Sequence, residues 1–317
     1  MATSGTTSYS VSEIDILTDA FEDAGIYGAG ETLGPEDVSL ARRKLNLIVK
    51  QWVSQIDFAP GLKMWARRRV YLFLQKNQIQ YALGPTGDHA SESYVTTTTT
   101  ATASLGGSTL TLASVSGLSS GMFIGVVLST GFIQWTTISG SPVGSVVTLA
   151  ATLTASVLSG ARVFSYTSKP RRPYDIATAV LRDTSGNDNP MDPNLILEDY
   201  ESIASKSNPG TPYYLYFEAQ RTNAQIYLDC SPSDVTQVIR MVYRSYVEDS
   251  TATTDDIDFP SEWYRPLAAQ LAIDLCPAFR KPVTQEMKLK RDEALQIAQN
   301  AHPATSTAQY EPDPDCY

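Results

Sequence analysis

YVTTTTTATASLGGSTLTLASVSGLSSG, residues 94–121, opens a block that runs to position 161 without one Asp, Glu, Lys or Arg. Such a run is either an unstructured spacer or a folded β-module, and the choice decides the architecture. Apolar and polar residues alternate in TLTLA (109–113), MFIGVVL (122–128) and FIQWTTI (132–138), the period of a half-buried strand. GSTLTLA (107–113) can be laid on GSVVTLA (144–150), sharing Gly, Ser, Leu and Ala at matched positions. Ser-Gly at 120–121 and again at 159–160 then precedes MFIGVVL and ARVFSY. The block therefore reads as a duplicated strand–loop–strand unit. With FIQWTTI added it supplies about five strands, enough for a small sandwich or barrel. Residues 105–166 are expected to fold, and Thr96–Thr100 to be a spacer leading in.

Outward from the block, period and composition change. In SEIDILTDAFEDAG (12–25), Ile14, Leu17, Phe21 and Ala24 share one helical face and Asp15, Asp19 and Glu22 another; Gly25 is a stop. The segment 35–56 opens on Pro35, Glu36 and Asp37, which suit a helix N-terminus. Its apolar stripe is Val38, Ala41, Leu45, Ile48 and Trp52, and it carries a basic cluster, Arg42, Arg43 and Lys44. MWARRRVYLFL (64–74) and NQIQYAL (77–83) read as strands, followed by the turn GPTGD (84–88). After the block come a strand from about Tyr174, a short helix near 195–204 and strands in 212–218, 224–229 and 236–247. SPSD (231–234) reads as the hairpin turn between the last two. Residues 259–279 form a helix with Trp263, Leu267, Leu271 and Leu275 four apart, Ser261 as N-cap and Pro266 in the first turn. The last helix, 282–302, contains the pairs Glu286/Lys290 and Lys288/Asp292. The fold expected is α+β: a helical body of N- and C-terminal helices with a small antiparallel sheet, plus an inserted all-β module. Its divisions are 1–93, body; 94–168, insertion; 169–302, body; and 303–317, an acidic, Pro-rich tail.

The chain has 317 residues, 42% of them apolar, enough for about two domains with a real core. Its net charge of −10 argues against a general nucleic-acid clamp, which needs a basic surface. Three widely spaced cysteines, Cys230, Cys276 and Cys316, and two histidines, His89 and His302, give neither a zinc motif nor a disulfide framework. The N-terminus lacks the apolar core of a signal peptide, and no apolar run is long enough to span a membrane. No dinucleotide, phosphate-loop or nucleophile-elbow motif occurs, so neither an enzyme nor a cofactor is expected. Asp88-His89 is an adjacent pair in a turn, not a dyad. The acidic stretch 183–194 lacks calcium-loop spacing and reads as a polar surface loop. Arg67, Arg68 and Arg69 could meet phosphate or an acidic partner, but on a strand the middle one faces away from its neighbours.

LARRKLNLIVKQWVSQ (40–55), QIQYALGPTGD (78–88), LEDYESIASKSNPGTPYYLYFE (197–218) with AQIYLDCSPSD (224–234), and FPSEWYRPLAAQLAIDLCPAF (259–279) occur in that order. Together they resemble the head-to-tail adaptors of short-tailed bacteriophages, the packaged-DNA-stabilisation and tail-tubular-A type of connector. The resemblance covers most of residues 10–300. It implies a non-enzymatic virion protein at the head–tail junction: a ring, usually a dodecamer, below the portal protein. Such a ring extends the channel for double-stranded DNA, helps retain the genome and carries the tail nozzle. It also implies a portal-docking C-terminal segment, here with Tyr310, Glu311, Asp313, Asp315 and Tyr317. The alternative class is a tail-associated β-module that recognises a glycan or receptor through exposed aromatic residues.

Overall fold

The structure, a computed structural model, describes residues 9–54 and 67–301. Five helices are described: α1 (Glu13–Asp23), α2 (Pro35–Ser54), α3 (Leu197–Ser202), α4 (Tyr264–Leu275) and α5 (Gln285–Ala301). Contacts divide the chain into two units, one of Met1–Ala66 with Tyr246–Tyr317 and one of Arg67–Ser245.

The first unit is helical. Both chain ends contribute to one core, in which Ala41, Leu45 and Trp52 of α2 meet Leu267, Leu271 and Leu275 of α4. Trp52 and Trp263 pack edge to face at 5.9 Å. The stripes of α2 and α4 are those of the sequence, and on α1 Leu17, Phe21 and Ala24 are buried as expected. Ile16 and Ala20 are buried with them, and Ile14 is only half-buried. Glu13 beside them is also fully buried and is paired with Arg42 at 2.8 Å. Ser261 opens a 3-10 turn (Ser261–Trp263) ahead of α4 and does not cap it. Lys290 reaches Asp23 on α1 at 2.5 Å rather than its own helix neighbour Glu286.

The second unit is where the expected fold fails. Its sheet is not small. It has eight strands in the order β2-β14-β13-β11-β10-β16-β1-β3, a nearly closed, barrel-like sheet. These are β1 (Arg67–Phe73), β2 (Gln80–Leu83), β3 (Ala90–Ser91), β10 (Pro173–Arg182), β11 (Asp188–Leu195), β13 (Tyr214–Glu218), β14 (Ala224–Leu228) and β16 (Val238–Ser245). Alternate side chains fill the interior: Val70 and Leu72, Leu181, Leu215, Ile226 and Leu228, Ile239 and Met241. The two edge strands, β2 and β3, are joined by residues 84–89 alone. Within that turn the Asp88 carboxylate accepts from Ala82 N and Asp88 N donates to Ala82 O, both at 2.7 Å. A Cβ on Gly87 would lie 2.1 Å from Ala82 O, so only glycine fits. GPTGD is thus the closure of the sheet rather than a simple connection.

Two further local expectations are corrected. Residues 183–194 are not a surface loop. The Asp183 carboxylate accepts from Ser185 N and Asn187 N at 2.8 and 2.9 Å, making a turn, and β11 follows. Nor does SPSD make a hairpin. β14 and β16 are not neighbours, and β15 (Ser231–Pro232) pairs in parallel with β12 (Pro209–Gly210).

The uncharged block folds, with more strands than expected. β4 (Val95–Thr98), β6 (Phe123–Val127), β7 (Ile133–Thr137) and β9 (Arg162–Tyr166) form a four-stranded sheet in the order β4-β9-β6-β7. Over it lies a two-stranded ribbon, β5 (Thr109–Thr111) with β8 (Val146–Thr148). The threonine run is therefore strand, not spacer, and Thr99 is buried. The repeat is larger than a strand–loop–strand unit: residues 95–127 and 134–166 are two three-stranded copies related by a pseudo-two-fold axis. Leu110 pairs with its own counterpart Val147, and Gly125 with Phe164. Hydrogen bonds recur in matched pairs. Leu112 N donates to Ser145 O (2.8 Å) and Leu149 N to Ser108 O (2.7 Å). Gly121 N donates to Ile138 O (2.9 Å) and Gly160 N to Thr99 O (2.8 Å). Each copy gives its first strand to the other's last, as in an exchanged dimer joined into one chain.

Candidate functional site

The basic cluster of α2 is mostly structural. Arg42 neutralises buried Glu13, and Lys44 Nζ donates to Asp274 O at the end of α4 (2.8 Å). Only Arg43 is exposed. On β1 the alternation holds. Arg68 faces the barrel interior, where it pairs with Glu92 at 3.1 Å, and Tyr243 donates to the same carboxylate at 2.7 Å. Burial, then this hydrogen bond, raises the Tyr243 phenol above its ordinary range. Arg67 and Arg69 point outward and are exposed.

Beside them the sheet places arginines the sequence reading did not single out. Tyr71 sits across from Arg240, and Arg67 across from Arg244, on β16. On β10, Arg182 lies opposite Val238, and Asp175 opposite Arg244. The outer face of β10, β16 and β1 thus carries Arg67, Arg69, Arg182, Arg240 and Arg244. Asp188 serves both Arg182 (2.8 Å) and Arg240 (2.9 Å), and Asp175 holds Arg244. Strand alternation could have flagged Arg240 and Arg244 as a pair. Their meeting with Arg67 depends on strand order, which no local pattern encodes.

The module meets the barrel through an aromatic seam. Phe73 of β1 contacts Trp135, Phe164 and Tyr166 at centroid distances of 5.0, 5.1 and 5.7 Å. His89 lies flat on Trp135 (4.1 Å, 6° between planes) and is hydrogen-bonded to Tyr166 Oη at 2.8 Å. Burial, with a smaller contribution from Lys169, pushes its imidazole down to about 4, so it is neutral at pH 7. It is a packing residue.

Among the described residues no group of three His, Cys, Asp or Glu could hold a metal ion. Burial pushes the Cys230 thiol up to about 11 and raises Cys276 as well, the opposite of an activated thiolate. The acidic side of α1, with Asp15, Asp19, Glu22 and Asp23, lines an open cleft with Arg265 and Lys290. Burial, then Asp23, raises the Asp19 carboxyl. No described helix is long and apolar enough to cross a membrane. Tyr310, Glu311, Asp313, Asp315 and Tyr317 lie outside the described residues. Comparison with family models, with curated proteins and with solved structures gives no match.

Proposed function

We propose that the protein is a head-to-tail adaptor of a short-tailed bacteriophage. Identical subunits form a ring below the portal protein, extend the channel for double-stranded DNA and carry the tail nozzle. One observation carries this reading. The stretch ending in Trp52 and the stretch beginning before Trp263, the two helical motifs of the resemblance, pack on each other in one core, although separated by the whole β unit. A helical body built from both chain ends, with the β strands inserted between them in sequence, suits the order of motifs on which the resemblance rests. The acidic net charge suits a channel through which DNA slides without arrest. The glycan-binding alternative needs aromatic residues free on the module, whereas Trp135, Phe164 and Tyr166 are committed to the seam.

The test is electron microscopy of the purified protein mixed with portal rings. A second ring stacked on the portal is expected. Protein that stays unattached at concentrations well above those of the portal overturns the reading.

A further inference from the structure

The outer face of β10, β16 and β1 opposes the charge of the rest of the chain. Arg67, Arg69, Arg182, Arg240 and Arg244 share it with two carboxylates, Asp175 and Asp188, in a protein of net charge −10.

The arrangement is costly for the isolated chain. Arg67 stands directly across from Arg244, and like charges at opposed strand positions are destabilising. Burial, and with it the charge of Arg67, holds Arg244 below the ordinary arginine range. Asp175 already satisfies Arg244, and Asp188 is divided between two guanidinium groups. Arg67 and Arg69 are exposed, and no carboxylate of the described residues pairs with either. Planar guanidinium forks on a rigid sheet recognise carboxylates or phosphates in fixed directions.

Three strands span about 10 Å, which fits one extended chain laid along the face. Arg67 and Arg69 lie about 6.7 Å apart, the repeat of two extended residues. The chain itself contains a matching segment. Glu311-Pro312-Asp313-Pro314-Asp315 places an acid at every second position, and its prolines favour extended backbone and supply no N–H. Tyrosines stand beside it, Tyr310 and Tyr317, as Tyr71 and Tyr174 stand beside the arginines. A duplex suits the face less well, because Asp175 and Asp188 sit within it and the surrounding acidic protein repels a long polyanion.

We propose that the outer face of β10, β16 and β1 is the acceptor for the acidic segment 303–317 of a second copy of this chain. The inference deepens the ring reading and rests on it only in that copies must meet. Binding is measured without portal, so its failure and a failure of portal docking are separate results.

The probe is a fluorescent peptide of residues 303–317, titrated into full-length protein carrying E311Q, D313N and D315N, whose own segment cannot compete by charge. Anisotropy is expected to show saturable binding that weakens as salt rises. R67E/R69E in that protein should weaken it about tenfold or more. R67Q/R69Q should weaken it less, and an unchanged melting curve shows that both variants are folded. The proposal is overturned if the peptide does not bind, or binds R67E/R69E equally well. It is also overturned if a short DNA duplex binds the arginine face more tightly than the peptide does.

Discussion

Gly125 and Phe164 occupy the same position in the two halves of the uncharged module and pair with each other across β6 and β9. One has no side chain, and the other is a fully buried ring. The contrast recurs at most positions of the outward face of that sheet. Trp135 stands where the other half has Thr96, Tyr166 where it has Val127, and Phe123 where it has Arg162. Inward, the halves agree: Leu110 with Val147, Leu112 with Leu149 and Ile124 with Val163. The ladder and the inner face need only backbone groups and aliphatic volume, which both copies supply. The outer face must dock on one barrel from one side. A two-fold module cannot present two equivalent faces to a single partner, so the symmetry is broken where the aromatic seam lies. Gly125 belongs to that break, because a Cβ there would lie 2.7 Å from atoms of the Trp135 ring.

Making the halves alike at this position should do the most damage. Phe164→Gly empties a fully buried ring site beside Phe73 and is expected to cost about 4 kcal/mol. Gly125→Phe drives Trp135 off His89 and should cost about 3 kcal/mol. Urea denaturation followed by tryptophan fluorescence measures both. A cost under about 1 kcal/mol for either would mean that the seam adjusts freely, and the contrast between halves would lose its meaning.

Trp135→Thr, which copies Thr96, separates packing from titration. It should cost about 3 kcal/mol and also admit water to His89, whose imidazole would then move from about 4 toward its ordinary 6.5. The sign follows from linkage. With the folded-state value depressed, the unfolded chain binds more protons between the two values. His89's contribution to stability is therefore complete above pH 6.5 and is lost as pH falls toward 4. In Trp135→Thr that acid sensitivity should shrink. An NMR titration of the His89 ring in both proteins decides it, and an unmoved value would assign the depression to something other than the stacked indole.

Much of this was readable from residue order, and the exceptions have physical reasons. The stripes of α2 and α4 follow from helical period, and the repeat showed in GSTLTLA and GSVVTLA because inward residues and turns are held by packing. β4 was hidden because Val95–Thr98 presents mainly threonine, whose hydroxyls satisfy nearby carbonyls: Thr96 Oγ1 donates to Val163 O at 3.2 Å. β11 was hidden because Met191 is its only buried residue, which leaves no alternation to detect. The closed sheet was out of reach for a different reason. Closure depends on Gly87 and Asp88 turning one edge onto the other, and the arginine face depends on β16 lying between β10 and β1. Both are facts of strand order. The helices bordering the β region are so clearly amphipathic that they drew the reading toward a helical body.

A buried difference between the halves is subtler. Thr99 and Ile138 are counterparts, 2% exposed in both cases. Thr99 Oγ1 donates to Leu158 O at 2.7 Å and accepts from Ala161 N at 3.0 Å. Thr99→Ile would strip both partners and should cost about 2 kcal/mol in thermal melts, since buried polar groups left unpaired lose their compensation. A neutral result would show that the two halves share one environment at this site after all.

The smallest effect concerns charge itself. Thr109 and Val146 are counterparts on the exposed side of the ribbon. Exchanging their types, Thr109→Val with Val146→Thr, should shift stability by less than about 0.5 kcal/mol, because both are β-branched and neither packs inward. Thr109→Lys should cost the isolated protein equally little, since an exposed strand position accommodates a long charged side chain. The fold therefore gives no reason for the block to lack charge. If the ring reading holds, the reason lies between copies, where a charge repeated around the ring would face its own kind or lose its water on contact. Thr109→Lys should then leave the melting temperature unchanged while weakening ring formation on portal particles. Normal assembly by that variant would place the uncharged surface away from every contact and leave the aromatic seam as the module's one demanding face.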